Sequence, residues 1–143
     1  MPSITSTNSV LVLGVKSVFP VPQHLQGFAT DDAYSIENVE VAEVVLGVDG
    51  IMSSGYIPQI KTMNISLQAD SASNGFFEAW YANQEANREI YQAFGVVTQE
   101  SVGRIYTLTN GVLSNYSPLA EAKKTLGARK FQIKWNMVLG APV

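Results

Sequence analysis

Strict alternation of apolar and polar residues from position 63 to position 70 constrains the fold of this chain more than any other feature. One face of this segment would carry Met63, Ile65, Leu67 and Ala69, and the other Asn64, Ser66, Gln68 and Asp70. Because successive side chains of a strand point to opposite sides of the sheet, a period of two predicts a half-buried β-strand. A second such segment lies near the C-terminal end, where four residues are predicted to point into the core: Phe131, Ile133, Trp135 and Met137.

The period changes to that of a helix in the middle of the chain. The predicted helix covers residues 74–86, and its apolar face carries Phe76, Phe77 and Trp80. An aromatic stripe of this kind can bind a ligand, but far more often it packs on a sheet. Three residues are candidates for the helix cap: Ser71, Ser73 and Asn74. Four side chains from the helix and the last strand are expected to share one core: Phe77, Trp80, Phe131 and Trp135.

A long hairpin is predicted around Asp49-Gly50, because this dipeptide is a strong signal for a tight turn between strands. The valine-rich segment 34–48 before the turn favours a strand, although glutamates three residues apart leave a helix open. The segment 51–58 after the turn is expected to form the far end of the hairpin. Further strand signals cover residues 9–15, 89–98 and 104–113.

The order of these elements predicts the fold class. Pro20 and Pro22 exclude a helix or a central strand at residues 19–22, since proline lacks the backbone donor. The remaining order is a strand, a long hairpin, one helix and three strands. This order predicts a mostly β (α+β) fold, an antiparallel β-sandwich or barrel with one flanking α-helix and a long hairpin loop. No repeat or linker interrupts it, so residues 1–143 are expected to form a single domain.

The charge content suggests that another chain covers much of the surface. Charged residues make up only 15% of the sequence, well below the usual quarter, while hydrophobic residues make up 46%. Acids dominate residues 31–49 and bases dominate the C-terminal part. Two solvated patches on one domain would explain this split. Head-to-tail contact between copies, acidic end against basic end, is the interpretation that the low total charge favours.

The sequence offers no set of residues for catalysis or metal binding. It contains no cysteine and one histidine, His24, so thiolate chemistry, disulfides and cysteine-based metal sites are excluded and no cofactor is expected. The acids near residues 31–43 are more often solvated than paired for hydrolysis. A net charge of −3 argues against direct nucleic-acid binding, whereas a negative wall suits a conduit for DNA. No signal peptide or membrane anchor is expected from the sequence.

Several segments in sequence order resemble the phage tail tube proteins of contractile-tailed viruses. These segments are residues 26–34, 45–58, 63–71, 77–80, 103–113 and 123–126. The resemblance implies a tail-tube β-sandwich whose subunits form hexameric rings. Such rings stack into a hollow tube that guides DNA, and related folds form bacteriocin and type VI secretion tubes. The implied partners are further copies of the chain and sheath, baseplate and terminator proteins, in a virion tail assembled in the host cytoplasm.

The candidate site residues are therefore contact residues, and the chain is expected not to be an enzyme. The hairpin residues expected at contacts between subunits or rings are Asp49, Gly50, Ile51, Met52, Tyr56 and Ile57. The acids expected on the lumen wall or in charge pairs between subunits are Glu37, Glu40 and Glu43. The basic patch expected opposite them consists of Lys123, Lys124, Arg129 and Lys130. The alternatives are a tail terminator, a bacteriocin or secretion tube, and a small ligand-binding or hydrolytic β-sandwich.

Overall fold

The computed structural model describes residues 9–16, 18–26, 28, 34–56, 59–120, 122 and 125–142. Within these residues, strands dominate and one α-helix interrupts them. The elements are β1 Ser9–Val15, β2 Phe19–His24, β3 Tyr34–Ile36, β4 Ala42–Leu46, β5 Met52–Tyr56, β6 Lys61–Leu67, α1 Asn74–Asn87, β7 Ala93–Gln99, a short 3₁₀ turn Glu100–Val102, β8 Arg104–Asn115 and β9 Arg129–Pro142.

The strands form one large sheet and one separate hairpin. The sheet has seven strands in the order β2-β1-β7-β8-β9-β6-β3, and every neighbouring pair is antiparallel. Strands β4 and β5 pair only with each other within the described residues. The prediction of a mostly β, antiparallel fold with one helix and a long hairpin is confirmed.

The large sheet is strongly curled, yet it does not close into a barrel. Tyr34 on β3 and Val97 on β7 line the same cavity, although three strands separate them in the sheet. The side chain of Ser9 on β1 also lies near the Tyr34 hydroxyl. Of the two forms left open by the sequence, the closed barrel is therefore excluded for the described residues, whose outer strands are β2 and β3.

Helix α1 packs its aromatic face on the buried face of the sheet. The Phe77 ring stacks on Phe131 of β9 with a centroid distance of 4.2 Å and an interplanar angle of 6°. Trp80 is fully buried and donates a hydrogen bond from Nε1 to the Tyr91 carbonyl oxygen at 3.0 Å. Trp135 belongs to the same core cluster. The predicted core of two helix residues and two strand residues is confirmed.

The ends of α1 differ slightly from expectation. Ser73 occupies the cap position but makes no capping hydrogen bond with its side chain. Its hydroxyl instead accepts a hydrogen bond from the Gln26 backbone N–H at 2.8 Å, which fixes the chain after β2 to the start of the helix. The helix ends at Asn87, and the C-cap residue Arg88 has a left-handed φ of 54°.

The inward pattern of the last strand ends earlier than the sequence predicts. Phe131, Ile133 and Trp135 are buried, but the predicted inward residue Met137 is 45% exposed, so that prediction was wrong. The neighbouring strand β8 has a left-handed residue at this level, Asn110 with a φ of 53°, and its pairing with β7 shifts register there. The buried positions of β8 change parity here, from Leu108 to Gly111. Because Leu108 pairs with Val138 and Gly111 pairs with Trp135, β9 changes parity together with β8, and Val138 packs against the core in place of Met137. 

Candidate assembly surfaces

The hairpin of β4 and β5, residues 42–56, is called the arm. Its register pairs Ala42 with Tyr56 at the base and Leu46 with Met52 near the tip. The tip is a tight turn in which the Gly50 N–H donates to the Gly47 carbonyl oxygen at 2.9 Å. Gly50 has a φ of 81°, a conformation that favours glycine. The predicted turn at Asp49-Gly50 is confirmed, while the predicted strand 34–48 is interrupted between β3 and β4.

The arm exposes large apolar side chains along most of its length. Leu46, Met52 and Tyr56 are 72%, 64% and 80% exposed, and only Ala42 in the two strands is partly buried. A two-stranded hairpin without further packing is at best marginally stable in water. Exposed apolar surfaces of this kind on a folded domain are typical of interaction sites.

The two faces of the arm differ in chemistry. Residues directly opposite in an antiparallel pair share a face, so the register sorts the side chains. One face is apolar except for one serine and carries Ala42, Val44, Leu46, Met52, Ser54 and Tyr56. The other face is smaller and includes an acid, and it carries Glu43, Val45, Ser53 and Gly55. The first face therefore gains most from burial against a partner.

The predicted acids lie at and beside the arm. Glu37 and Glu40 are exposed on the link between β3 and β4, and Glu43 is exposed on β4. The Glu37 backbone N–H donates to the Thr62 carbonyl oxygen at 2.9 Å, which ties the start of this link to β6. These three carboxylates are thus presented to solvent by a segment whose backbone is anchored at the sheet.

Arg129 does not fit the predicted basic patch, because its side chain is buried. Its side chain is only 7% exposed, and Nη1 contacts the Glu78 carboxylate at 2.7 Å. Nη2 donates to the Ser117 carbonyl oxygen at 2.6 Å, and the guanidinium lies 5.4 Å from the centre of the Phe131 ring. Arg129 is therefore used inside the subunit, where it holds the segment after β8 against α1. Lys130 is exposed on β9; Lys123 and Lys124, like Ile57 of the hairpin, lie outside the described residues.

A cavity of about 410 Å³, called the cleft, opens between β3 and the strands β6 to β9. Burial raises the pKa of the Tyr34 phenol above its ordinary value, and the nearby Ser9 side chain lowers it to a smaller extent. Among the residues that the structure describes, the buried Tyr34 hydroxyl has no hydrogen-bond partner of normal geometry. Lys61 donates from Nζ to the Asn136 carbonyl oxygen at 3.2 Å. The lining residues are Tyr34, Ser35, Ile36, Val39, Lys61, Met63, Val97, Gln99, Tyr106 and Val138.

Sequence reasoning missed the cleft because its lining comes from five strands and the link after β3. No local pattern unites Ile36, Val97 and Val138, and only the curl of the sheet brings them together. Tyr34, the first residue of β3, was a partial indication, because the large ring of a tyrosine on a short edge strand has to pack against some other surface.

The described residues contain no group of three or more metal-ligating side chains. His24 lies exposed on β2. No helix in this part of the chain has the length and apolar character needed to cross a bilayer.

Solved structures with the same fold come from contractile injection systems. The anti-feeding prophage tube-terminating cap has a TM-score of 0.62 and 8% identity, with 100% of this chain and 93% of that chain covered. A protein of the extended sheath-tube complex of the PVC extracellular contractile injection system has a TM-score of 0.62 and 8% identity, covering 93% and 88%. A protein of the PVC sheath/tube terminator has a TM-score of 0.61 and 10% identity, covering 92% of each chain.

These matches define the class of the protein by its fold, which is the tail-tube type found in tube, cap and terminator structures. The sequence profile of the family described as "Tail fiber protein gp32" matches residues 2–139. The chain therefore belongs to the tail fiber protein gp32 family, and its resemblance to tail-tube-type proteins is confirmed. A search of curated protein sequences gives no match.

Proposed function

We propose that this chain is a structural, non-enzymatic subunit of a phage tail tube, which assembles into hexameric rings that stack into a hollow conduit for DNA ejection. The observation that carries the proposal is the arm, an exposed apolar hairpin on a domain with the tail-tube fold. The low content of charged residues, 15%, supports it, because a surface that is covered by neighbouring copies needs fewer charges.

Burial of the arm against a neighbouring copy supplies the driving force for assembly. Burying one side chain of the size of Leu46 or Met52 is worth about 1.5–3 kcal/mol. Obligate interfaces of this kind cover on the order of 2,000 Å² or more, so the arm acts together with other surfaces of the subunit. The hairpin residues proposed for contacts between subunits or rings are Asp49, Gly50, Ile51, Met52, Tyr56 and Ile57.

The second property of the proposed conduit is a negatively charged wall. The net charge of −3 and the exposed acids Glu37, Glu40 and Glu43 favour a wall that repels the DNA backbone, so that DNA passes without specific binding. Charge pairing with bases of a neighbour, Lys123, Lys124 and Lys130, is the other role open to these acids. Salt separates the two roles, because pairing between subunits weakens as ionic strength rises.

The proposed partners are further copies of the chain together with sheath, baseplate and terminator proteins of a virion tail that is assembled in the host cytoplasm. The second candidate is a tail-completion protein, such as a terminator or cap. The observation that favours it is that the cap and terminator structures match this fold with TM-scores of 0.62 and 0.61, close to the 0.62 of the sheath-tube complex. A tail-completion protein would form a single ring, whereas a tube protein would form filaments.

Electron microscopy of the purified chain beside an armless variant tests the proposal. The structure indicates the cut, because Ala42 and Tyr56 are directly paired, so a short Gly-Ser link can replace residues 43–55 without strain on the sheet. The intact chain should form rings or tubes, and light scattering of a single ring should give about six times the 15.5 kDa of the chain. The armless variant should remain folded and monomeric.

A matched pair of point variants separates the two faces of the arm. Leu46→Ser lies on the apolar face and should raise the concentration required for assembly about tenfold or more, since one lost apolar contact is worth more than 1.4 kcal/mol. Val45→Ser lies on the other face and should have a much smaller effect. Tubes of normal length from the armless variant, or a chain that stays monomeric in low salt, would refute the proposal.

A further inference from the structure

The subunit has two surfaces that its own fold leaves incomplete. The arm presents an apolar face without a partner, and the cleft is an apolar-lined space as large as roughly a dozen water molecules. The cleft lies beside the base of the arm, since Val39 and Lys61 flank residues 42–56 on either side. The arm nevertheless does not cover the cleft of its own subunit, because the strands of the arm remain exposed.

We propose that the cleft of one copy receives the tip of the arm from a second copy. This inference rests on the proposed function and adds to it the acceptor surface for the arm. The apolar tip residues Val48, Ile51 and Met52, which are all strongly exposed, would contact the apolar lining of the cleft. The lining residues that match them are Ile36, Val39, Val97 and Val138.

The polar groups of the two surfaces are complementary. The cleft offers a donor, since the Lys61 ammonium contacts only a backbone carbonyl among the described residues. The tip of the arm offers an acceptor, the Asp49 carboxylate, which uses Oδ1 for the Ile51 N–H at 3.1 Å. A lysine that meets an aspartate inside an apolar rim gives a contact with a defined register.

The length of the arm suits contact with another copy. From Ala42 to the turn at Asp49 the arm extends about 23 Å at roughly 3.3 Å per residue. A compact domain of 143 residues has a radius of gyration of about 14–15 Å, so the exposed arm is longer than this radius. A contact of arm to cleft is heterologous, and repetition of such a contact gives a ring or a filament.

Cysteine cross-linking tests the contact directly, because the chain contains no cysteine of its own. Ser35 is exposed and lines the cleft, and Val48 is fully exposed at the tip. A short bis-maleimide reagent applied to the Ser35→Cys/Val48→Cys variant should produce a ladder of cross-linked multimers. Val48→Cys alone should give dimers at most. The control Val21→Cys/Val48→Cys, with its first cysteine exposed on the edge strand β2, should show several-fold less cross-linking.

Charge reversal provides the second measurement. Lys61→Glu and Asp49→Lys should each raise the concentration for half-maximal assembly about tenfold, and the double variant should recover most of the loss. Rings or tubes that form without the ladder and without rescue would refute the cleft as acceptor while the proposed function stands. A chain that stays monomeric under all conditions would refute both.

Discussion

Replacing Phe77 by alanine tests the packing of the helix on the sheet. The Phe77 side chain is fully buried, and its ring stacks on Phe131 at 4.2 Å and meets the edge of Phe76 at 5.4 Å. Removing a buried phenylalanine side chain costs about 3–5 kcal/mol, which includes the cavity that is left behind. Because Phe77 connects α1 with β9, we expect a loss in the upper part of this range.

The expected change in Tm follows from the size of the chain. An unfolding entropy of about 2.1 cal/mol/K per residue gives roughly 0.3 kcal/mol/K for 143 residues. A loss of 3–5 kcal/mol therefore lowers Tm by about 10–17 °C. Thermal and urea unfolding should be measured in the armless variant, so that assembly does not contribute to the measured free energy of unfolding.

Phe77→Leu is the matched control, because leucine keeps most of the buried volume and loses only the ring stacking. Its cost should be about 1–2 kcal/mol, clearly less than that of alanine. If Phe77→Ala unfolded within about 2 °C of its parent, the side chain would not be part of the core, and the packing of α1 on the sheet would be refuted.

Three further predictions concern single interactions. Arg129→Ala should lower the free energy of unfolding by about 2–4 kcal/mol, because the buried guanidinium makes several contacts. Glu78→Gln should cost under about 1 kcal/mol, since that carboxylate is 54% exposed. Equal costs of the two variants in urea unfolding would contradict this prediction. Tyr34 has a folded pKa above its ordinary 10.0, so the unfolded phenol ionises first and stability should fall as pH rises past about 10, a decline that Tyr34→Phe should reduce. Replacing Pro20 and Pro22 by threonine should increase irregular aggregation, measured by light scattering, because the edge of β2 regains its donors; unchanged scattering would contradict this.

Local pattern was sufficient to predict most elements of the fold. The alternation that begins at Met63 and the spacing of Phe77 and Trp80 each indicate which face of a single element is buried. Such a pattern is contained within a few neighbouring residues, so it can be recognised in the sequence. The turn at Asp49-Gly50 was predictable for a similar reason, since Gly50 adopts the left-handed conformation that the turn requires.

The parts that sequence did not predict depend on neighbours distant in the chain. Arginine usually lies at the surface, but the Arg129 guanidinium is buried because it donates hydrogen bonds to the Glu78 carboxylate on α1 and to the Ser117 carbonyl oxygen. The exposure of Met137 depends on the change of inward parity around Asn110 in the next strand, where Leu108 pairs with Val138. The acids beside the arm could be assigned to the surface from sequence, while their orientation relative to a lumen is a property of the assembly and not of one chain.

The edges of the sheet explain why assembly would depend on the arm. β2 carries Pro20 and Pro22, which cannot donate backbone hydrogen bonds, and β3 has only three residues, so neither edge favours extended pairing with another copy. The strands of the arm contain no proline and pair only with each other within the described residues. An exposed apolar hairpin is an aggregation hazard for a chain that works alone. In the proposed assembly, a second copy with a matching cleft would remove this hazard, because it would cover the arm at a defined site while the main sheet resists pairing along its edges.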